Sequence, residues 1–218
     1  MARTPKVRRE FDTLLMLSAA CAAQRVNKAY LKFADGSPDS ESPYVPRPSN
    51  RELVYQFLDN LDTITDADRE LAEKVKTYWN GKTFKVLTGE YISNFDRSVL
   101  ELLQKEKLYD GYDLAVVASL PNSYLSGVAR DERERRVKFA AGGYLGSIGG
   151  TVEATIEVTK SVYSKKWCVY FLTGITTGDQ AVFFSYKQDV SPGTILSIKG
   201  NVKRQDNNTT QLNRVKVL

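Results

Sequence analysis

Residues 151–163, TVEATIEVTKSVY, decide how this chain folds. Val152, Ala154, Ile156 and Val158 share one parity, and Glu153, Thr155, Glu157 and Thr159 the other. That is the period of a half-buried β-strand. A run of ~13 residues exceeds the usual strand length of about 5–6, so this strand is expected to curve and to serve two parts of one sheet.

Four more β-type runs come after it, at 166–173, 180–186, 194–202 and 211–218. The links between them read as turns: a polar one at 163–166, a glycine-containing one at 174–179, and Ser191-Pro192-Gly193 before the fourth run. None has the dozen or more residues that a parallel connection takes, so the sheet is expected to be antiparallel. The predicted class is α+β: a helical N-terminal domain followed by a small five-stranded antiparallel barrel. An OB-fold is the simplest barrel of that size. Residues 187–193 leave room for a loop or a single helical turn between the third and fourth strands. The predicted barrel core is Val152, Ile156, Val158, Val169, Ile198, Val202, Val215 and Val217.

Charge is unevenly spread. Residues 150–218 hold 9 Lys and Arg against 5 Asp and Glu, a net of +4, whereas residues 1–149 hold 22 against 21, a net of +1. A positive barrel favours a polyanionic partner, although a charge of this size also serves solubility. The chain has no histidine, which removes the commonest general base and metal ligand and excludes His-dependent triads. Cys21 and Cys168 form no CxxC pair, so neither a zinc ribbon nor a disulfide framework is indicated. The expectation is a cytoplasmic protein with reduced thiols, no catalytic residues, no metal and no cofactor.

Upstream, residues 1–33 read as an N-terminal amphipathic helix, with Phe11, Leu14, Leu15, Val26, Tyr30 and Phe33 at helical spacing. Glu10 and Asp12 break the basic-then-apolar pattern of a secretory signal, and the apolar run is far short of the about 20 residues that span a bilayer. No membrane is implied. Residues 34–48, with Pro38, Pro43, Pro46 and Pro48, form a linker or arm. Because the arm separates the first helix from the helical domain beyond it, that helix is expected to dock a partner or a second copy, making a homo-oligomer.

Residues 49–141 form the helical domain. Ser49-x-x-Glu52, Thr65-x-x-Asp68 and Ser93-x-x-Asp96 each announce a helix start, and the charge run DERERR at 131–136 suits a solvated helix face. The apolar run 113–120, ended by Pro121, fits either a strand or a helix. Residues 142–218 form the barrel, entered through Gly142, Gly143, Gly146, Gly149 and Gly150. These glycines precede a strand rather than a helix, so they serve tight turns and not a dinucleotide loop. Lys107-Leu108-Tyr109-Asp110-Gly111 differs by one residue from the KxDG of nucleotidyltransferases, an insertion that would redirect the lysine.

Particular turns carry a resemblance. Tyr144-Leu145-Gly146-Ser147-Ile148-Gly149-Gly150, then Gly178-Asp179, Pro192-Gly193, Gly200-Asn201-Val202-Lys203 and Leu212-Asn213-Arg214-Val215-Lys216 are similar to those of a group of poorly characterised phage-encoded proteins. These have a helical N-terminal region and a C-terminal OB-fold. The similar region spans 49–218 and is densest in the last third. It implies DNA or RNA metabolism in an infected cell, with phage or host replication or transcription proteins as partners. It supplies no active site, and the cysteine-rich zinc ribbon of some members is missing here.

The function expected is non-catalytic binding of single-stranded DNA or RNA, which needs a basic groove and aromatic faces. The alternative is a structural or assembly protein whose barrel docks a protein partner. Tyr163, Trp167, Tyr170, Phe183, Phe184 and Tyr186 interleave with basic residues, and alternation requires half of these rings to be core. The nucleic-acid-binding residues expected are Lys165, Lys166, Trp167, Tyr170, Phe183, Lys203, Arg204, Arg214 and Lys216. Lys165 and Lys166 belong to the first hairpin turn, Lys203 and Arg204 lead into a long polar loop at 205–210, and Arg214 and Lys216 share a parity. All six cations are expected on one positive surface.

Overall fold

The computed structural model describes residues 8–34 and 47–218, so most of the proline-rich arm lies outside the described residues. The chain divides into two compact units, Met1–Ser126 and Gly127–Leu218.

The first unit is built on helix α1 (Thr13–Asn27). Met16, Leu17, Ala19, Ala20, Cys21, Ala22 and Ala23 are wholly buried, as befits a helix that is apolar all round. Its run of small side chains lets α2 (Asn50–Asp59) and α3 (Asp66–Gly81) pack against it. Of the stripe read from the sequence, Phe11, Leu14, Leu15 and Tyr30 pack against the core of this unit, whereas Val26 and Phe33 are exposed, and the helix ends at Asn27, short of the expected residue 33. Two buried asparagines tie the ends of the arm together. Asn27 Nδ2 donates to Asn50 Oδ1 at 2.9 Å and to the Pro48 carbonyl at 3.0 Å, and the same Asn50 oxygen accepts from the Leu31 amide at 2.9 Å.

Local chemistry sets the helix starts. Ser49 and Glu52 form a capping box on α2, and Thr65 and Asp68 one on α3. Ser93 caps α5 (Asn94–Leu103), which comes after the short α4 (Thr83–Leu87). Strand β1 (Glu10–Asp12) pairs antiparallel with β2 (Lys107–Tyr109), and Lys107 Nζ lies 3.2 Å from Glu10. The KLYDG stretch is thus a ladder edge followed by a turn. Residues 113–120 resolve as α6 (Tyr112–Val117), and Pro121 begins a helix rather than ending one. It sits in the first turn of α7 (Leu120–Lys138), where a missing N–H costs nothing. The division between the units falls inside α7, upstream of the glycine joint. Among the described residues no helix is long and apolar enough to cross a membrane.

In the second unit, β3 (Thr151–Ser164), β4 (Val169–Thr176), β5 (Ala181–Tyr186), β6 (Ile195–Asp206) and β7 (Thr209–Val217) close a barrel in the order β3-β4-β5-β7-β6. The long strand is shared as expected: β3 pairs with β6 through its first half and with β4 through its second. The barrel is mixed, not purely antiparallel. β5 and β7 run parallel, with Ala181, Val182 and Phe183 opposite Thr209, Thr210 and Gln211. The reason is parity, because strand directions cannot alternate all the way round a closed ring of odd number. The crossover that the parallel pair needs is β6 itself, so no long loop marks it.

β6 and β7 also extend further than their sequence runs. Only Asn207 and Asn208 remain between them, at φ 47° and 57°. Two left-handed residues make a tight hairpin turn, a role asparagine fills well, in place of the loop expected at 205–210. No helix separates β5 from β6. The core is Ile156, Val158, Leu172, Val182, Phe184, Ile198, Val202 and Leu212. Val169 and Val217, predicted for this core, are outside it, since the inward parity of β4 belongs to Leu172 and Val217 lies exposed at a strand end. Along one side, Val137 and Ala140 after the DERERR run pack on Ile175 and Ala181, and Arg136 reaches Glu157 at 2.6 Å. Gly142 passes directly under the Gly178 carbonyl, and its amide donates to the Asp179 carbonyl at 3.0 Å. A Cβ there would collide with backbone, so this joint is glycine for steric reasons.

Candidate nucleic-acid interface

Residues directly opposed across an antiparallel ladder share a face. Leu172 and Phe184 oppose each other and both point into the core, so their neighbours Phe171 and Phe183 point outward. These two rings stack, with centroids 5.6 Å apart and planes 22° from parallel. Trp167, in the turn between β3 and β4, meets Phe171 edge-on at 6.3 Å and is 48% exposed. Lys166 Nζ lies 4.9 Å from the centre of the Trp167 ring. On the other side, Phe183 lines a cleft of about 310 Å³ with Arg204, Asp206, Asn207, Thr209 and Gln211. The outer β4–β5 wall thus carries an unbroken row from Lys166 through Trp167, Phe171 and Phe183 to Arg204.

The structure brings together some of the expected residues and separates others. Lys165, Lys166 and Trp167 lie in the exposed turn 165–168, which Cys168 closes in the left-handed region at φ 52°. Phe183 and Arg204 lie at the cleft, Arg204 at 3.7 Å from Asp206. Lys203 is exposed at a register irregularity beside Arg204. Tyr170 is elsewhere. It faces inward, opposite Tyr163 and Tyr186, with its ring 5.0 Å from that of Tyr163, and these tyrosines cluster apart from the wall.

Arg214 and Lys216 do not join the others on one surface. Arg214 takes a left-handed φ of 51°, and the β6–β7 register shifts there, which breaks the alternation on which a common parity depends. It lines a second cleft of about 420 Å³ with Val169, Tyr186 and Lys187. Lys216 opposes Lys199, whose ammonium bonds Glu153 at 2.6 Å, so it belongs to the β3–β6–β7 side. The six cations occupy three places. Lys165, Lys166 and Lys203 have no ion-pair partner among the described residues.

Phe171 is absent from the residues expected from sequence. Placing Val169 in the core put Phe171 there too, since the two share a parity. Reading Leu172 as the core residue of Val169-Tyr170-Phe171-Leu172 would have turned Phe171 outward.

Among the described residues no group of His, Cys, Asp and Glu is arranged to hold a metal ion. Both cysteines are free. Burial, helped by the nearby Asp68 charge, pushes the Cys21 thiol up to about 12, so it is an inert core residue. Compared with known proteins, the chain matches no family model, no curated protein and no solved structure.

Proposed function

We propose that the barrel is an OB-fold that binds single-stranded DNA or RNA along its β4–β5 wall, without catalysis. The strand order supports the fold: the first barrel strand pairs with the second and fourth, and the third runs parallel to the fifth. In such folds the wall of the second and third strands, flanked by the first and last hairpin loops, is where oligonucleotides lie. Here that wall is β4–β5; the first hairpin turn supplies Lys165 and Lys166 at one end, and Arg204, on β6 shortly before the last hairpin turn, stands at the other.

The observation that carries the reading is the outward-facing row of the exposed Trp167 and the half-buried Phe171 and Phe183, bordered at its Trp167 end by Lys165 and Lys166, which have no ion-pair partner among the described residues. Aromatic faces accept any base, at roughly 1–3 kcal/mol for each stacked base, and cations follow the phosphates. By the resemblance, the setting is phage replication, recombination or transcription in the host cytoplasm, beside phage or host proteins of those processes.

Fluorescence anisotropy with labelled oligothymidylate and oligouridylate tests this. Binding is expected at low salt, weakening with a log–log slope of about −0.7 for each phosphate contact, together with quenching of Trp167 emission. If neither oligomer binds at low salt, the wall serves a protein partner instead, and the barrel is an assembly module.

A further inference from the structure

We infer that the cleft between Phe183 and the β6–β7 turn reads one base of the bound strand and prefers guanine. This rests on the wall being a single-strand surface. Phe183 stacks on Phe171 and also lines the cleft, so a base entering there extends the Phe171–Phe183 stack by one member. What the cleft adds to that platform is polar. Arg204 and Gln211 stand opposite each other in register on β6 and β7, and Asp206 comes two residues after Arg204 on the same outward parity.

Asp206 is the residue that needs explaining. A carboxylate on a phosphate-binding face repels the backbone, and Asp206, 54% exposed, is not required there by packing. Its separation of 3.7 Å from Arg204 is too long for a hydrogen bond, so both groups keep hydrogen-bonding capacity for a ligand. An ionised carboxylate presents two adjacent acceptors, and a guanidinium a fork of donors. Among the bases, guanine offers two neighbouring donors, N1–H and the N2 amino group, next to the acceptor O6. Adenine and cytosine present one amino group each, and thymine and uracil a single N–H. Guanine is therefore the base that can place two donors on Asp206 while giving O6 to Arg204, with its rings on Phe183.

The test uses the full chain and labelled oligothymidylates of about nine nucleotides, within the length one such barrel covers. The central position is thymine, cytosine, adenine or guanine, and affinities are measured by anisotropy. The guanine oligomer is expected to bind about tenfold tighter than the adenine one, the size of discrimination given by one bidentate base contact. Adenine is the comparison because it stacks as a purine. In the Asp206→Asn variant, with melting temperature checked against the wild type, the guanine-to-adenine ratio should fall below about twofold. Equal binding of all four oligomers by the wild type would overturn the guanine inference and leave the single-strand reading standing. A guanine advantage that survives in Asp206→Asn would also overturn it, by placing the discrimination elsewhere. Failure to bind any of the four would remove the single-strand reading, and this inference with it.

Discussion

Each unit of this protein sets a lysine over a tryptophan, and the two pairs have opposite surroundings. In the helical unit Lys82 Nζ lies 3.9 Å from the centre of the Trp79 ring, and its ammonium is also 3.0 Å from Asp96. Trp79 is 3% exposed and packs edge-on against Tyr78 and Phe95. In the barrel Lys166 stands 4.9 Å from the Trp167 ring centre with no carboxylate partner among the described residues, and Trp167 is half exposed on a strand turn. The first pair is committed to the fold, since its charge is neutralised and its ring surrounded. The second keeps both charge and ring face available. A lysine–tryptophan pair is therefore informative about function only through what surrounds it.

That contrast predicts opposite phenotypes. The largest effect should come from Trp79→Ala, which opens a cavity in the helical core and should cost about 3–5 kcal/mol of stability. Thermal unfolding followed by far-ultraviolet circular dichroism reads it directly. Trp167→Ala should leave the melting temperature nearly unchanged. A comparable loss of stability in the Trp167 variant would erase the distinction between the two pairs.

A second prediction concerns Asp68, which is almost fully buried and receives Arg25 Nε at 3.0 Å and the Thr65 amide at 2.9 Å. Burial works against its ionisation, but the bonds from Arg25 and Thr65 outweigh it and hold the carboxyl below its ordinary range. Because the folded pKa lies below the unfolded one, the stability is present above about pH 4 and is lost as pH falls through the depressed value. Asp68→Asn should cost about 2–3 kcal/mol near neutrality. It should also flatten the acid limb of a stability–pH profile, and a variant whose acid limb matches the wild type would show that other carboxylates govern acid unfolding.

Next in size is Phe171→Ala, expected to weaken oligonucleotide binding by roughly 1–3 kcal/mol if the ring stacks on a base. Tyr170→Ala should instead lower the melting temperature, because that ring is packed on the core. The smallest effect separates the cations. Neutralising Lys165 and Lys166 together should reduce the salt slope of binding by about 1.4 on a single strand, whereas Lys216→Ala should leave it unchanged. Equal slopes for the two variants would mean that the strand does not follow the β4–β5 wall.

Much of this architecture is legible in the sequence because it is local. Ser49, Thr65 and Ser93 cap helices through side chains that reach three residues along, and the alternation in 151–163 needs only the strand's own geometry. The two-fold use of β3 comes from its length, and the glycines at the joint from turn sterics. Other features are decided only when distant segments meet. The burial of α1 depends on α2 and α3 closing over it from beyond the arm. The parallel β5–β7 pair results from closing an odd ring, which no single segment encodes. Which rings face outward depends on parity relative to the core, and an irregularity between Val158 and Lys160 on β3, or the left-handed Arg214 on β7, resets that parity. Composition marks the barrel as basic and aromatic. Its closure and register place Trp167, Phe171 and Phe183 in one row and send Tyr170, Arg214 and Lys216 elsewhere, since a strand's faces are fixed only by the neighbours it pairs with.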